Sequence, residues 1–166
     1  SSSFTQLDGA TFVFFDLEND GDLDLAQSGY ITINFNTGPI TEIYRNDNGI
    51  YQKQDNATLP GINAAVLQSA DLNHDGRADL IIGGAASTWP TPPKSVVSIY
   101  LNTGNGTFNL KQTVEVPTTA LGDVGPILVA DLDNNGTRDI VLYYPTGMIS
   151  QGAGGVWQFS ETALGL

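Results

Sequence analysis

One nine-residue pattern, D-x-[DEN]-x-[DN]-G-x-x-D, occurs three times in this chain of 166 residues and constrains its fold more than any other feature. The copies cover residues 16–24, 71–79 and 131–139, so they begin 55 and 60 residues apart. A nearly constant period of this size is typical of an internally repeated structure. The fold must therefore provide the same turn three times, in equivalent places.

The segments around each copy indicate β-strands. An apolar run precedes each copy (TFVFF, AAVLQSA, GPILVA) and another follows it (LDLAQSG, ADLIIGGA, RDIVLYY). Asn/Gly turns then separate apolar from aromatic stretches in ITEIYRNDNGIYQ and VVSIYLNTGNGTFNL, and more loosely in MISQGAGGVWQF, which indicates hairpins. We therefore predict an all-β fold of three four-stranded antiparallel repeats, at about residues 11–55, 65–114 and 125–161.

Charge and composition exclude several classes of protein. The net charge is −12, although only 14% of the residues are charged, and most acidic residues lie in the three copies. A surface of this sign repels phosphate, which argues against nucleic acid and anionic lipid as partners. The longest apolar runs are too short for membrane insertion. The absence of cysteine excludes disulfides and thiolate metal sites.

Each copy has the chemistry of a site for a hard cation. Oxygen-bearing side chains at positions 1, 3 and 5 can converge in a tight turn, and the carboxylate at position 9 can bind through both oxygens. Glycine at position 6 permits the turn. Position 7 would offer its backbone carbonyl; the residues there are Asp22, Arg77 and Thr137. Calcium accepts such flexible oxygen sites, whereas the stricter octahedron of magnesium fits them less well.

The pattern differs from an EF-hand. An EF-hand needs an acidic residue at position 12, where this chain has Gln27, Ile82 and Leu142. Here the closing acid stands at position 9, and strand-like runs replace the helices that flank an EF-hand. We therefore reject both the EF-hand and the dockerin interpretation.

With these features together, the sequence resembles the FG-GAP/VCBS repeat family, the calcium-loop blades of integrin α-subunit propellers and of many secreted microbial proteins. The segments DLNHDGRADLIIGG and IYLNTGNGTF are close to the family pattern, and the resemblance covers essentially the whole chain. It implies β-propeller blades, each with a calcium loop between its first and second strands.

The resemblance also implies three structural Ca²⁺ sites. Carried over by position, the side-chain ligands are Asp16, Glu18, Asp20 and Asp24; then Asp71, Asn73, Asp75 and Asp79; then Asp131, Asp133, Asn135 and Asp139. Glu18 is one methylene longer than the usual Asp or Asn, and Asn135 supplies a neutral oxygen in place of a carboxylate. We expect the first loop to bind most tightly, provided that Glu18 reaches the ion.

No set of residues indicates catalysis. His74 is the only histidine, and it stands at position 4 of a loop, so a Ser-His-Asp triad would have to be built inside that loop. Almost every paired carboxylate is assigned to a metal site, and no glycine-rich phosphate loop precedes a helix. We therefore predict that the chain is not an enzyme. Polysaccharide lyases built on calcium propellers are the family precedent for the opposing, less favoured interpretation as an enzyme fragment.

Binding is better supported. In a four-stranded meander, the calcium loops and the Asn-Gly hairpins share one face, and segments 28–38, 85–94 and 145–152 lie on the other. Trp89, in the proline-rich stretch ASTWPTPPK, is the candidate ligand-binding residue, because aromatic side chains on rigid loops bind sugars and proline-rich peptides. The alternative is that Trp89 covers the edge of its own blade.

Three blades are too few for a closed propeller, which typically has about 4–8. We therefore expect the single propeller-type unit, residues 1–166, to join other blades of a larger protein or to form a homo-oligomer. The predicted function is a calcium-stabilised extracellular or cell-surface module for adhesion to, or recognition of, a protein or glycan. A lectin and a structural subunit of a surface appendage are the alternatives.

Overall fold

A computed structural model of the chain describes residues 3–86, 94–116, 124–132, 134–145 and 154–160. The predicted all-β class is confirmed, since these residues form strands, turns and irregular segments. The strands are β1 (Asp8–Phe15), β2 (Asp24–Ile33), β3 (Asn36–Asp47), β4 (Ile50–Lys53), β5 (Asn63–Ala70), β6 (Asp79–Ala86), β7 (Lys94–Asn102), β8 (Phe108–Glu115), β9 (Ile127–Ala130), β10 (Asp139–Pro145) and β11 (Gly154–Ser160). Within the described ranges, no helix is long and apolar enough to cross a membrane.

The strands form three antiparallel sheets, in each of which every strand pairs with its neighbours in sequence. Sheet 1 contains β1–β4, sheet 2 contains β5–β8, and sheet 3 contains β9–β11. In the described part of the chain sheet 3 therefore has three strands, where four were predicted. The residues predicted as its fourth strand pair directly with β10, with Trp157 opposite Leu142, and so take the third position.

The three sheets are stacked in chain order around two apolar cores. Leu80 and Ile82 of β6 lie in the core shared with sheet 1, and Ile81 between them lies in the core shared with sheet 3. Successive side chains of a strand point to opposite faces, so a strand buried on both faces needs consecutive apolar residues. The middle position of sheet 2 thus explains why β6 reads DLIIGGAA rather than alternating with polar residues.

The Asn-Gly hairpin predicted from RNDNG is present between β3 and β4. Asn48 and Gly49 have φ angles of 52° and 86°, as the two central residues of a type I′ turn require. Asparagine and glycine adopt this left-handed conformation at little cost, which makes the dipeptide a reliable marker of the turn.

A buried carboxylate anchors the segment that precedes β1. Glu42 is 4% exposed. Its oxygens accept hydrogen bonds from Thr5 Oγ1 (3.1 Å), Gln27 Nε2 (3.0 Å) and Tyr44 OH (2.9 Å), and Lys53 Nζ lies 2.7 Å away. Burial alone would raise the pKa of Glu42, but the hydrogen bonds from these four donors outweigh it and hold the pKa below its ordinary value.

We expect the Glu42→Gln variant to lose stability in a pH-dependent way. Because the pKa of Glu42 is lower in the folded than in the unfolded chain, its ionised form stabilises the fold above the unfolded pKa. That contribution is lost as the pH falls through the folded pKa. Urea denaturation should therefore show a stability difference between wild type and variant that is full at neutral pH and shrinks in acid.

The matched control is Glu115→Gln, because Glu115 forms an exposed ion pair with Lys94. Exposed pairs contribute little, so this variant should follow the wild type at every pH. A Glu42→Gln difference that stays constant in acid would contradict the expectation.

Candidate metal centres

The three acidic loops occupy equivalent places in the three sheets. Asp16, Asp71 and Asp131 directly follow β1, β5 and β9, and position 9 of each copy begins the next strand. Each loop thus joins the first and second strands of its sheet, as expected.

The first aspartate of each loop closes the turn from within. Asp16 accepts hydrogen bonds from the backbone N–H groups of Asp20 (3.0 Å) and Gly21 (2.9 Å). The same two bonds recur at Asp71 (3.2 and 2.9 Å) and at Asp131 (3.0 and 2.8 Å). One side chain at position 1 therefore fixes the course of the backbone at positions 5 and 6.

Two left-handed residues give the loops their shape. Position 4 has a positive φ in every copy: 60° at Asn19, 59° at His74 and 57° at Asn134. The glycines at position 6 have φ between 83° and 91°. A Cβ is unfavourable in this region, and asparagine and histidine tolerate it better than most residues. With this geometry the side chain of His74 lies exposed.

The residue at position 5 holds position 7. The side chains of Asp20, Asp75 and Asn135 accept hydrogen bonds from the backbone N–H groups two residues later, on Asp22 (2.9 Å), Arg77 (2.9 Å) and Thr137 (2.7 Å). In this structure the backbone of position 7 thus acts as a donor to position 5, while its carbonyl remains the group predicted to bind an ion.

The side chains at position 3 differ between the loops. Asn73 Oδ1 accepts from the N–H of Asp75 (3.1 Å). Glu18 forms an ion pair with Arg45, whose Nε lies 3.3 Å from Glu18 Oε1. The other oxygen of Glu18 is buried and has no hydrogen-bond partner among the described residues. Asp133, the position-3 residue of the third loop, lies outside the described residues, as does Trp89.

The closing aspartates are buried. Asp24 and Asp79 are 0% exposed and Asp139 is 2% exposed. The two oxygens of Asp79 accept hydrogen bonds from the backbone N–H groups of Leu72 (2.9 Å) and Asn102 (2.8 Å). Position 9 therefore ties its loop to the third strand of the same sheet, a structural role beyond that of a predicted ligand.

The first loop has the same arrangement, and the described part of the third loop shows one of the two bonds. Asp24 accepts from Leu17 (2.5 Å) and Asn46 (2.6 Å), and Asp139 accepts from Leu132 (3.0 Å).

Burial and neighbouring carboxylates raise the pKa of two acidic side chains in the loops. Burial raises the pKa of Asp79 to about 6, with Asp75 and Asp71 adding to the effect against the hydrogen bonds that it accepts. Burial also raises the pKa of Glu18, and Asp24 raises it further. These shifts have the sign expected where carboxylates are brought together without a neutralising charge.

In the described ranges, no three acidic or histidine side chains are grouped closely enough to hold a metal ion. The side chains at positions 1, 5 and 9 of each loop accept hydrogen bonds from backbone N–H groups instead. A carboxylate oxygen has two lone pairs, so one that accepts an N–H can also contact a cation. The atoms that the loops offer to a cation are hard oxygens of the type that calcium prefers. The buried oxygen of Glu18 that has no hydrogen-bond partner in the described structure has the chemistry of a ligand.

Contacts between neighbouring loops were not predicted from the sequence. Asn102 Nδ2 donates to the backbone carbonyl of Leu17 in the preceding loop (2.9 Å), and Arg138 Nε donates to that of Asp71 (3.1 Å). The sequence does carry a signal for the first contact, because Asn46 and Asn102 stand in equivalent places before a glycine turn. The backbone N–H groups of both residues donate to the carboxylate at position 9, a contact that forms only when the third strand lies beside the loop.

The comparison with known families agrees with this architecture. Residues 85–142 match the family described as FG-GAP-like repeat. The matched segment runs from the end of β6 through the third acidic loop to β10. No curated protein matched the sequence. The resemblance drawn from the three loops is therefore confirmed over residues 85–142, which match an FG-GAP-like repeat.

Proposed function

We propose that this chain is a calcium-stabilised, non-enzymatic β-propeller module that recognises a protein or glycan outside the cell or at its surface. The FG-GAP-like repeat supports a recognition module of the β-propeller type. The three equivalent loops, built from oxygen donors and joined to buried strands, support a structural role for the metal.

The calcium part of the proposal is carried by Glu18. Its Oε2 is a buried polar atom without a partner in the described structure, which is costly unless a cation or water completes it. Asp16, Glu18, Asp20 and Asp24 would hold the first ion, and the corresponding residues of the other two loops would hold the second and third. A bound Ca²⁺ would neutralise carboxylates that otherwise repel one another and would cross-link the turn.

Calcium titration by calorimetry tests this proposal. We expect three bound Ca²⁺ ions, a melting temperature that falls on chelation, and weaker binding of Mg²⁺ because of its stricter geometry. Glu18→Gln should weaken one site at least tenfold, since it removes the charge of a ligand. Glu115→Gln, which removes an exposed carboxylate far from the loops, is the control. A melting temperature that changes neither on addition of calcium nor on addition of chelator would refute the proposal.

The recognition part is supported by the tip of the β2–β3 hairpin, which lies within segment 28–38. Phe35 is 103% exposed, and Ile33 beside it is 57% exposed. Asn34 and Phe35 both have a positive φ, of 50° and 66°, so a phenylalanine occupies a turn position that favours glycine or asparagine. An exposed aromatic ring held in a strained conformation contributes nothing evident to folding and is suited to contact a partner.

We expect Phe35→Gly to raise the melting temperature by about 2–4 °C, because glycine relieves the left-handed strain of a β-carbon. Phe35→Ala is the matched comparison, since it removes the ring and keeps the strain, and it should bring no such gain. Thermal unfolding followed by circular dichroism measures both. A destabilised Phe35→Gly variant would instead indicate that the ring supports the fold.

A glycan array separates protein recognition from the lectin alternative. Binding of the labelled chain to a defined set of sugars, lost in Phe35→Ala, favours a lectin. Absence of sugar binding, together with loss of assembly on chelation, favours a structural subunit. Other blades of a parent protein, or a second copy of this chain, remain proposed partners.

A further inference from the structure

The repeat makes each sheet present one face to the preceding sheet and the opposite face to the following one. Position −4, counted from the first aspartate, points to the preceding sheet: Leu67 packs against sheet 1 and Ile127 packs against sheet 2. In sheet 1 the residue at this position is Phe12, which is 64% exposed. Position −2 behaves in the same way, since Val129 is packed against sheet 2 while Phe14 is 49% exposed.

On the opposite faces of the sheets, it is sheet 3 whose side chains are exposed. Position 2 of each loop points to the following sheet. Leu17 and Leu72 are 0% exposed there, against sheets 2 and 3 respectively. The equivalent Leu132 of sheet 3 is 55% exposed, and Leu128 on the same side is 62% exposed. Identical residues at identical repeat positions are thus buried twice and exposed once.

The exposed side of sheet 1, which we term the front face, forms an apolar groove of about 250 Å³. It is lined by Phe4, Phe12, Phe14, Leu25, Gln27 and Tyr51. The exposed side of sheet 3, which we term the back face, carries Leu128, Leu132 and Tyr143, the last 44% exposed. A groove rich in aromatic side chains and a projecting set of apolar side chains are therefore present on one chain.

One hydrogen bond between sheets also runs from a sheet to the sheet that precedes it. Asn102 of sheet 2 donates to its own loop at Ala78 O (3.2 Å) and across the interface to Leu17 O (2.9 Å). Its equivalent in sheet 1 is Asn46, which donates in the same way to its own loop at Leu23 O (3.1 Å). The counterpart of Leu17 on the back face is Leu132. If the back face of one copy packed on the front face of another, the Leu132 carbonyl would lie opposite the side-chain amide of Asn46.

We propose that the front face of sheet 1 binds the back face of sheet 3 of a second copy, head to tail. This inference rests on the proposed propeller-type stacking of blades and specifies which faces meet. The occupant is a second copy because both halves of the interface lie on this chain, in the pairing that it already uses between sheets 1 and 2 and between sheets 2 and 3. Two copies would bring together six sheets, within the usual range of about 4–8 blades. A heterologous contact of this kind closes into a ring or continues as an array.

Sedimentation analysis of single-face variants tests the proposal. Phe14→Asp blocks the front face and Leu132→Asp blocks the back face, and both residues are exposed in the single chain, so folding should be preserved. We expect the wild type to associate with rising concentration and each variant alone to remain monomeric. An equimolar mixture of the two variants should form a heterodimer, because each supplies the face that the other lacks.

Leu110→Asp is the matched control, since Leu110 is 57% exposed on β8, away from both faces, and the substitution adds the same charge. It should associate like the wild type. A wild type that stays monomeric at millimolar concentration, or a mixture that fails to associate, would overturn the proposal. Association of Leu132→Asp alone would indicate a symmetric contact and would overturn it as well. Repeating the measurement with chelator separates this result from the calcium proposal, because the faces can associate even if the loops bind no ion.

Discussion

The Asp79→Ala variant should lose about 2–6 kcal/mol of unfolding free energy in the presence of a chelator. Both oxygens of the fully buried Asp79 accept backbone N–H groups, one from the loop at Leu72 and one from β7 at Asn102. Removal of the carboxylate leaves both donors buried without an acceptor, and each unsatisfied group costs about 1–3 kcal/mol. Urea denaturation in excess chelator measures the loss, so that the effect of the backbone contacts is kept apart from that of a cation.

Asp47→Ala is the control for this variant. Asp47 has a side chain that is 55% exposed and lies 4.0 Å from Arg45, and an exposed substitution of this kind stays within about 0.5 kcal/mol. Asp139→Ala should lie between the two, since the described structure gives Asp139 one such bond, from Leu132. If Asp79→Ala matched the wild type in chelator and lost only its response to calcium, position 9 would be a metal ligand without a clamping role.

The local chemistry of the loops could be predicted from the sequence, because it depends on residues close together in the chain. Asp16, Gly21 and Asp24 stand within one turn, and their spacing is enough to indicate a tight loop between two strands. The Asn48–Gly49 hairpin is predicted for the same reason. The pattern of apolar runs also predicts antiparallel sheets in chain order, because short turns between strands leave few other pairings.

The hydrogen bond between position 9 and the third strand could not be predicted. The sequence shows that Asp79 closes the pattern, but its second hydrogen bond comes from Asn102, which is 23 residues away. The link between Asn102 and Leu17 spans 85 residues and exists only once two sheets are stacked. Contacts of this range depend on packing, which a local pattern does not contain.

In the third sheet the repeat pattern of the sequence is too irregular to predict the order of the strands. The segment MISQGAGGVWQF predicts a hairpin that ends in a fourth strand, although it lacks the regular Asn-Gly turn. The structure pairs Trp157 with Leu142 in β10, which is third-strand pairing. Where turn residues are irregular, the register is set by pairing with the neighbouring strand rather than by periodicity.

Three leucines at one repeat position should respond differently to the same substitution. Leu17→Ala and Leu72→Ala should each lower the unfolding free energy by about 2.7–5 kcal/mol, since both side chains are fully buried in a core between sheets. Leu132→Ala should change it by no more than about 0.5 kcal/mol in the single chain, because Leu132 is 55% exposed. Chemical denaturation at low protein concentration measures all three.

The comparison isolates packing from local sequence, because all three leucines follow the first aspartate of the same motif. If the leucine acted through the conformation of its loop, the three variants would lose similar amounts of stability. If it acts through the sheet that covers it, Leu132→Ala should become costly only when the back face is covered. Raising the protein concentration should then widen the gap between wild type and Leu132→Ala, and leave the losses in Leu17→Ala and Leu72→Ala in place.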